Sequence, residues 1–324
     1  MNMGFPQFVA RKLARSMAKD DAELKHGQKL PDGVTVTEYA YLDDGHAMHR
    51  LNVCRPEGAA GVLPLIVDIH GGAWVFGDKD LNLNMCMHLA KRGYVVAAPS
   101  YRLVPEVTLD GQVKDVFAAL DFISKHAHEW GADASEAMLT GDSAGGHLSS
   151  LALCISLSPS LAKAYGVAPP ALGVKCLAMS HPVPEVHSIL RDENDEPSRK
   201  FKVIQRIFDG AMFGKRPRKH PLYLLSAFSE YSEGLHLPPT MLIGCERDVY
   251  VKHSRYVARL LRAKEERGEC DRFVFRYTDV AHEKTRLCHV YEVMDPTLPD
   301  SIATLDDMVK FFEESRARHC GKTD

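Results

Sequence analysis

The sequence predicts an α/β protein with a mostly parallel central sheet and helices on both of its faces. Short apolar segments alternate with longer segments of helical periodicity, which is typical of parallel strands joined by helical crossovers. Residues 63–69 are almost continuously apolar, as a strand buried on both faces is. Residues 141–146 form a turn of small side chains between an apolar segment and a helical one.

The predicted elements follow one another in a regular order. Residues 34–39 alternate at period two and a turn separates them from residues 49–54, so the two form an antiparallel hairpin at a sheet edge. The further strands cover about residues 63–69, 94–98, 137–139, 173–179, 239–244 and 272–277. The helices cover about residues 81–92, 110–126, 147–157, 252–267 and 302–317.

Two segments stand outside this order. Residues 182–236 are rich in proline, charge and aromatic residues, and residues 201–208 within them have helical periodicity. We interpret this segment as an insertion over the carboxyl ends of the strands, where open α/β sheets bind ligands. Residues 1–30 are predicted to form one or two helices with a basic amphipathic pattern, which we expect to pack on their own protein; membrane contact is the minor alternative.

Composition narrows the class of protein. The 324 residues carry a net charge of −3, which argues against nucleic acid as a partner because phosphate binding needs a basic surface. Eight cysteines are scattered without a Cys-x-x-Cys pair, so reduced thiols and a cytoplasmic location are expected. There is no signal-peptide core, and no apolar run approaches the ~20 residues of a membrane span.

The turn at residues 141–146 carries the first chemical motif. It contains Gly-x-Ser-x-Gly, in which Ser143 sits between Gly141 and Gly145 on a tight strand-to-helix turn. Small neighbours are needed there, because a strained serine brings the following helix close to the preceding strand. The pattern also arises by chance, so its interpretation as a nucleophile depends on partners elsewhere.

A second motif follows the strand at residues 63–69. The sequence His70-Gly71-Gly72-Ala73-Trp74 places flexible backbone where N–H groups could stabilise a developing oxyanion. A simple glycine turn is the alternative, and the presence of Ser143 favours the oxyanion hole.

An activated serine needs a histidine base and a carboxylate that orients it. Where a serine sits on such a turn, the acid and then the histidine follow it along the chain. Asp248 and His282 come just after the last two predicted strands, at the sheet edge where Ser143 lies. Glu246 and His289 are the rivals.

Three motifs together resemble the hormone-sensitive-lipase family of α/β-hydrolases. They are His70 to Trp74, Tyr101-Arg102-Leu103-Val104-Pro105-Glu106, and the elbow from Gly141 to Gly146. The resemblance covers about residues 60–285 and implies an α/β-hydrolase fold with a helical cap. The cap would comprise residues 1–30 and 182–236, and the catalytic core residues 31–181 and 237–324.

The resemblance also implies roles for particular residues. Ser143 would be the nucleophile, His282 the base and Asp248 its carboxylate. The oxyanion hole would use the backbone N–H groups of Gly71, Gly72 and Ala144. Trp74 and Val75 would line the substrate pocket.

The chain departs from the family pattern at three places. Ala73 replaces a glycine whose role is in the backbone, so little effect is expected. The second Asp of the family's acid motif is lost after Asp248. Glu283 and Lys284 follow the predicted base and make the rim polar, which disfavours long-chain substrates.

These features predict a serine carboxylesterase that hydrolyses short-chain acyl esters through an acyl-enzyme, with no cofactor or metal. Its partner would be a small-molecule ester, and relatives suggest a homodimer. An amidase or formamidase, or a deacetylase of sugar or natural-product esters, could use the same groups. A non-catalytic small-molecule receptor is the alternative from another class.

Overall fold

The computed structural model describes residues 5–188, 199–281 and 287–320 and contains one eight-stranded sheet. The strands are β1 (Val34–Ala40), β2 (Arg50–Pro56), β3 (Leu63–Ile69), β4 (Val95–Pro99), β5 (Ala132–Asp142), β6 (Val174–Ser180), β7 (Thr240–Cys245) and β8 (Phe273–Thr278). Their spatial order is β1-β2-β4-β3-β5-β6-β7-β8. The pairs β1–β2 and β2–β4 are antiparallel, and every other pair is parallel. The predicted edge hairpin and mostly parallel sheet are therefore confirmed.

Ten α-helices lie within the described residues. They are α1 (Phe5–Leu24), α2 (Leu83–Ala90), α3 (Leu109–His126), α4 (Ala144–Leu157), α5 (Pro159–Tyr165), α6 (Arg199–Phe213), α7 (Phe228–Tyr231), α8 (Val251–Glu266), α9 (Tyr291–Met294) and α10 (Pro299–Cys320). The short helices α5, α7 and α9 were not predicted, because segments of four to seven residues carry little periodicity.

Both faces of the sheet are covered by helices. Along β3, Leu65, Val67 and Ile69 belong to one apolar cluster, and Ile66 belongs to another. The first cluster includes side chains of α3, α4 and α8, and the second includes side chains of α2 and α10. Because successive strand residues point to opposite faces, this division confirms the prediction of helices on both faces of the sheet.

The carboxyl ends of four strands meet where the chemistry was expected. β3 leads into residues 70–74, β5 into Ser143, β6 into His181 and β7 into the turn that carries Asp248. Helix α1 packs against α6, which belongs to the predicted insertion. Within the segments that the structure describes, no helix is both long and apolar enough to cross a membrane.

Candidate active site

Ser143 occupies a strained turn between β5 and α4. Its φ is +50°, a left-handed value that residues other than glycine seldom adopt. A Cβ atom at Gly145 would lie 1.8 Å from the carbonyl oxygen of Ile69, and one at Gly141 would lie 2.5 Å from that of Gly145. The small residues of the motif are thus required by the close approach of strand and helix.

The histidine that reaches Ser143 is His289. Its Nε2 atom lies 2.9 Å from Ser143 Oγ, and its Nδ1 atom lies 2.8 Å from Asp248 Oδ1. With Nδ1–H donating to the carboxylate, Nε2 is free to accept the proton of the serine hydroxyl. The three side chains therefore form the hydrogen-bonded line that nucleophilic catalysis requires.

His289 thus replaces His282, which the sequence placed at this position. His282 lies outside the described residues. β8 is the edge strand, three strands from β5, a distance of about 14 Å at normal strand spacing, so a histidine that reaches Ser143 must lie on a segment that returns toward β5. The chain comes back toward the centre of the sheet at residues 287–290, where the Cys245 thiol donates to the carbonyl oxygen of Cys288 (3.4 Å).

Asp248 is held as an anion. Burial alone would raise the pKa of its carboxyl group, but the hydrogen bond from His289, the charge of His181 and the N–H group of Tyr250 together lower it below the usual value. Its Oδ1 atom also accepts the backbone N–H of Tyr250 at 2.8 Å. The rival Glu246 instead pairs with Arg255 at 2.5 Å.

The oxyanion-hole prediction needs one correction. The N–H group of Gly71 donates to Asp142 Oδ1 at 2.8 Å, so it is not available to a substrate. Within the described part of the chain, the N–H groups of Gly72, Ala73 and Ala144 have no hydrogen-bond acceptor. Gly72 has a φ of +98°, and a Cβ atom there would lie 1.9 Å from the carbonyl oxygen of Phe76. The structure therefore offers Ala73 in place of Gly71. The sequence could not reveal this, because the acceptor on Asp142 comes from 71 residues away.

Buried polar side chains stabilise the loop of residues 70–74 through hydrogen bonds. Asn82 Nδ2 donates both to Asp142 Oδ1 (2.8 Å) and to Asp68 Oδ2 (2.9 Å). Burial, assisted by the charge of Asp142, raises the pKa of Asp68 to about 7, and burial also raises the pKa of Asp142. The hydroxyl of Tyr101 donates to the carbonyl oxygen of His70 at 2.8 Å.

Trp74 and Val75 line a narrow apolar cleft next to this loop, with a free volume of about 20 Å³. The other side chains come from α1, the loop itself, the segment before α3, and α6: Val9, Ala10, Leu13, Ala73, Val104, Ile207, Phe208, Ala211 and Met212. Trp74 Nε1–H donates to Nδ1 of His147 (3.1 Å), whose Nε2–H donates to the carbonyl oxygen of Ser226 (2.8 Å). Burial lowers the pKa of His147 to about 4, so its ring is neutral and can both accept and donate. Among the described residues there is no group of three metal-ligating side chains.

Comparison with known proteins gives consistent matches. A family model described as an alpha/beta hydrolase fold matches residues 66–283. Esterase B of Lactobacillus rhamnosis is 29% identical over 98% of this chain and 98% of its own, with a TM-score of 0.88. That esterase has also been crystallised as inhibited by a C4-C4 SN3 tributyrin phosphonate.

Two curated relatives match shorter stretches. A probable isoprenylcysteine alpha-carbonyl methylesterase of Arabidopsis thaliana, ICMEL2, is 35% identical over 34% of this chain and 26% of its own length. A probable carboxylic ester hydrolase of Mycobacterium tuberculosis, LipM, is 38% identical over 36% of this chain and 27% of its own. The chain thus matches about a quarter of the length of these curated relatives.

Proposed function

Because this chain belongs to the hormone-sensitive-lipase family of α/β hydrolases, we propose that it is a serine carboxylesterase acting on short-chain acyl esters. The observation that carries the proposal is the line from Ser143 through His289 to Asp248, with contacts of 2.9 and 2.8 Å. The unoccupied N–H groups of Gly72, Ala73 and Ala144 lie on the turns that flank this line.

The geometry supports a two-step reaction. His289 removes the proton of Ser143 as the hydroxyl oxygen attacks the ester carbonyl, and Asp248 stabilises the imidazolium that forms. The N–H groups of Gly72, Ala73 and Ala144 donate to the developing oxyanion. His289 then gives its proton to the leaving alcohol, and the acyl group remains on Ser143. Water, deprotonated by His289, releases the acid.

The apolar cleft beside Trp74 is proposed to hold the acyl chain. Its lining is apolar, and two helices outside the sheet, α1 and α6, form much of it. We propose that residues 1–30 and 182–236 make a cap on one catalytic domain; of these, 1–4 and 189–198 lie outside the described residues. A short-chain preference is in keeping with the tributyrin phosphonate that inhibits esterase B.

The proposal also covers location and assembly. A cytoplasmic location is supported by six buried free cysteines: Cys54, Cys86, Cys154, Cys176, Cys245 and Cys270. A homodimer is proposed on the resemblance alone, and light scattering of the purified protein tests it.

Initial rates on p-nitrophenyl acetate, butyrate, octanoate and palmitate test the activity. We expect the highest kcat/KM on the short esters and its loss in Ser143→Ala. A maximum at palmitate would indicate a lipase, and turnover restricted to amides or sugar acetates would indicate one of the other hydrolases. Folded wild-type protein that binds these compounds without turnover would be a receptor and would overturn the proposal.

A further inference from the structure

A buried ion pair lies directly behind the Asp248–His289 pair. His181 is the first residue after β6, Glu292 belongs to α9, and both are fully buried. His181 Nδ1 lies 3.7 Å from Glu292 Oε2. The Ser180 hydroxyl joins them, because it lies 2.9 Å from His181 Nδ1 and donates to the Glu292 carboxylate.

Each member of the pair favours the charged form of the other. Burial opposes protonation of His181, but the negative charges of Glu292 and Asp248 and the hydrogen bonds with Glu292 and Cys245 together outweigh it and raise the pKa of His181 to about 10. Burial likewise opposes ionisation of Glu292, and the charge of His181 lowers the pKa of that carboxyl group. The titratable groups that face His181 are Glu292, Asp248, His289, Cys245 and Tyr291.

His181 contacts the proposed base. Its ring meets that of His289 edge to face, with centroids 5.7 Å apart and planes at 81°. It also meets the ring of Tyr291 edge to face, with centroids 5.4 Å apart. Among the described residues, His181 Nε2 and Asp248 Oδ2 have no hydrogen-bond partner, so His181 acts on Asp248 through its charge.

The turn that carries His181 also holds the nucleophile. Ser143 N donates to the carbonyl oxygen of Ser180 at 2.8 Å, and Val183 N donates to that of Ser143 at 3.2 Å. His181 itself has a φ of +44°, a strained backbone conformation for a residue other than glycine. Glu292 lies three residues after His289. The ion pair therefore connects the turn that binds the backbone of Ser143 with the segment that carries His289.

We propose that His181 and Glu292 are positioning residues that hold the His289 imidazole in line between Ser143 and Asp248. This inference rests on the proposed esterase function. Such a pair contributes little to the stability of the fold, because the cost of removing two charges from water offsets the attraction between them. Orientation of the base is a different matter, since a displacement of about 1 Å can lower a rate about 100-fold.

The test compares His181→Gln, Glu292→Gln and the double variant with wild type on p-nitrophenyl butyrate. A fluorophosphonate titration counts the competent Ser143 sites, so that kcat is expressed per site and unfolded protein does not contribute. We expect each single change to lower kcat per site about 10- to 100-fold with KM changed less than about threefold. Glu292→Asp, which retains the charge, should keep more of kcat than Glu292→Gln.

If a single variant fails to fold, the double variant replaces it in the test, because it leaves no unpaired buried charge. It should recover the melting temperature without recovering kcat. Lys264→Met is the matched control, since Lys264 is a buried cation whose Nζ donates to the carbonyl oxygen of Ser232 (2.6 Å) on another part of the fold. It should lower stability and leave kcat per site unchanged.

Two failures are distinguishable. If wild type hydrolyses no ester, or Ser143→Ala remains active, the proposed function itself is wrong. If wild type is active through Ser143 but the glutamine variants keep kcat per site within about threefold, the function stands and the positioning role is overturned.

Discussion

The Nε2 atom of His289 lies 2.9 Å from the hydroxyl oxygen of Ser143, although 146 residues separate them in the sequence. Such a contact gives a hydroxyl group a base at hydrogen-bond distance, which is the geometric condition for nucleophilic attack. Of the two histidines that follow β8 in the sequence, His282 and His289, this contact identifies His289 as the candidate base.

His289→Ala should therefore lower kcat on p-nitrophenyl butyrate by about 10⁴-fold or more, with the fold intact, because Ser143 loses its proton acceptor. His282→Ala is the matched control and should retain most of the wild-type rate. Circular dichroism and melting temperature establish folding of each variant. The reverse result, with His282→Ala inactive and His289→Ala active, would remove His289 from the mechanism.

The positions of Ser143 and Asp248 could be predicted because each follows an apolar strand within a few residues, where topology brings the strand ends together. The base was harder to place. His282 and His289 both follow β8, and only the path of the loop back toward β7 decides which one reaches Ser143. That path depends on tertiary contacts, such as the one between Cys245 and Cys288.

The donors of the oxyanion hole were also only partly predictable from the sequence. Its glycines were visible in the sequence, but the side chain that occupies Gly71 N–H is Asp142, on a different strand. Likewise, the Ser180–His181–Glu292 network joins residues 112 positions apart and has no local pattern. Periodicity reports local structure, whereas these pairings depend on how the strands are ordered.

Asp142→Ala should lower kcat about 100-fold with a smaller effect on KM. Without the carboxylate, Gly71 N–H loses its acceptor and the loop that carries the N–H groups of Gly72 and Ala73 is no longer held toward the substrate. Asp142→Asn is the control, because an amide oxygen can still accept from Gly71, and it should retain more activity than Asp142→Ala. Equal losses in the two variants would show that the hydrogen bond to Gly71 is not what matters.

Asp68 should make the protein less stable as the pH rises. Its pKa is raised from an ordinary value near 3.8 to about 7, first by burial and then by the charge of Asp142. Between these values the folded protein binds a proton at Asp68 that the unfolded chain has released, so the contribution of Asp68 to the free energy of unfolding falls from about pH 4 to pH 7 and is then constant.

Asp68→Asn mimics the protonated carboxyl group at every pH and can still accept from Asn82. Its melting temperature relative to wild type should therefore increase from pH 5 to pH 7 and level off above pH 7. Asp32→Asn, at an exposed position, controls for the loss of one negative charge. A difference between Asp68→Asn and wild type that is constant with pH would contradict the raised pKa.

The cleft beside Trp74 should set the acyl-chain preference. Phe208 meets the ring of Trp74 edge to face with centroids 6.3 Å apart, and Ala211 lies one helical turn further along α6 in the same lining. Phe208→Ala enlarges the cleft and should raise the ratio of kcat/KM for octanoate over butyrate about tenfold, since each buried methylene contributes about 0.8 kcal/mol. Ala211→Leu fills the cleft and should lower the same ratio.

Leu224→Ala is the control. It alters an apolar side chain that is 61% exposed, outside this lining, and should leave the ratio unchanged. Because the two cleft variants are expected to act in opposite directions, a general loss of activity cannot imitate the result. If both variants changed kcat/KM for octanoate and for butyrate by the same factor, the acyl chain would have to lie elsewhere in the site.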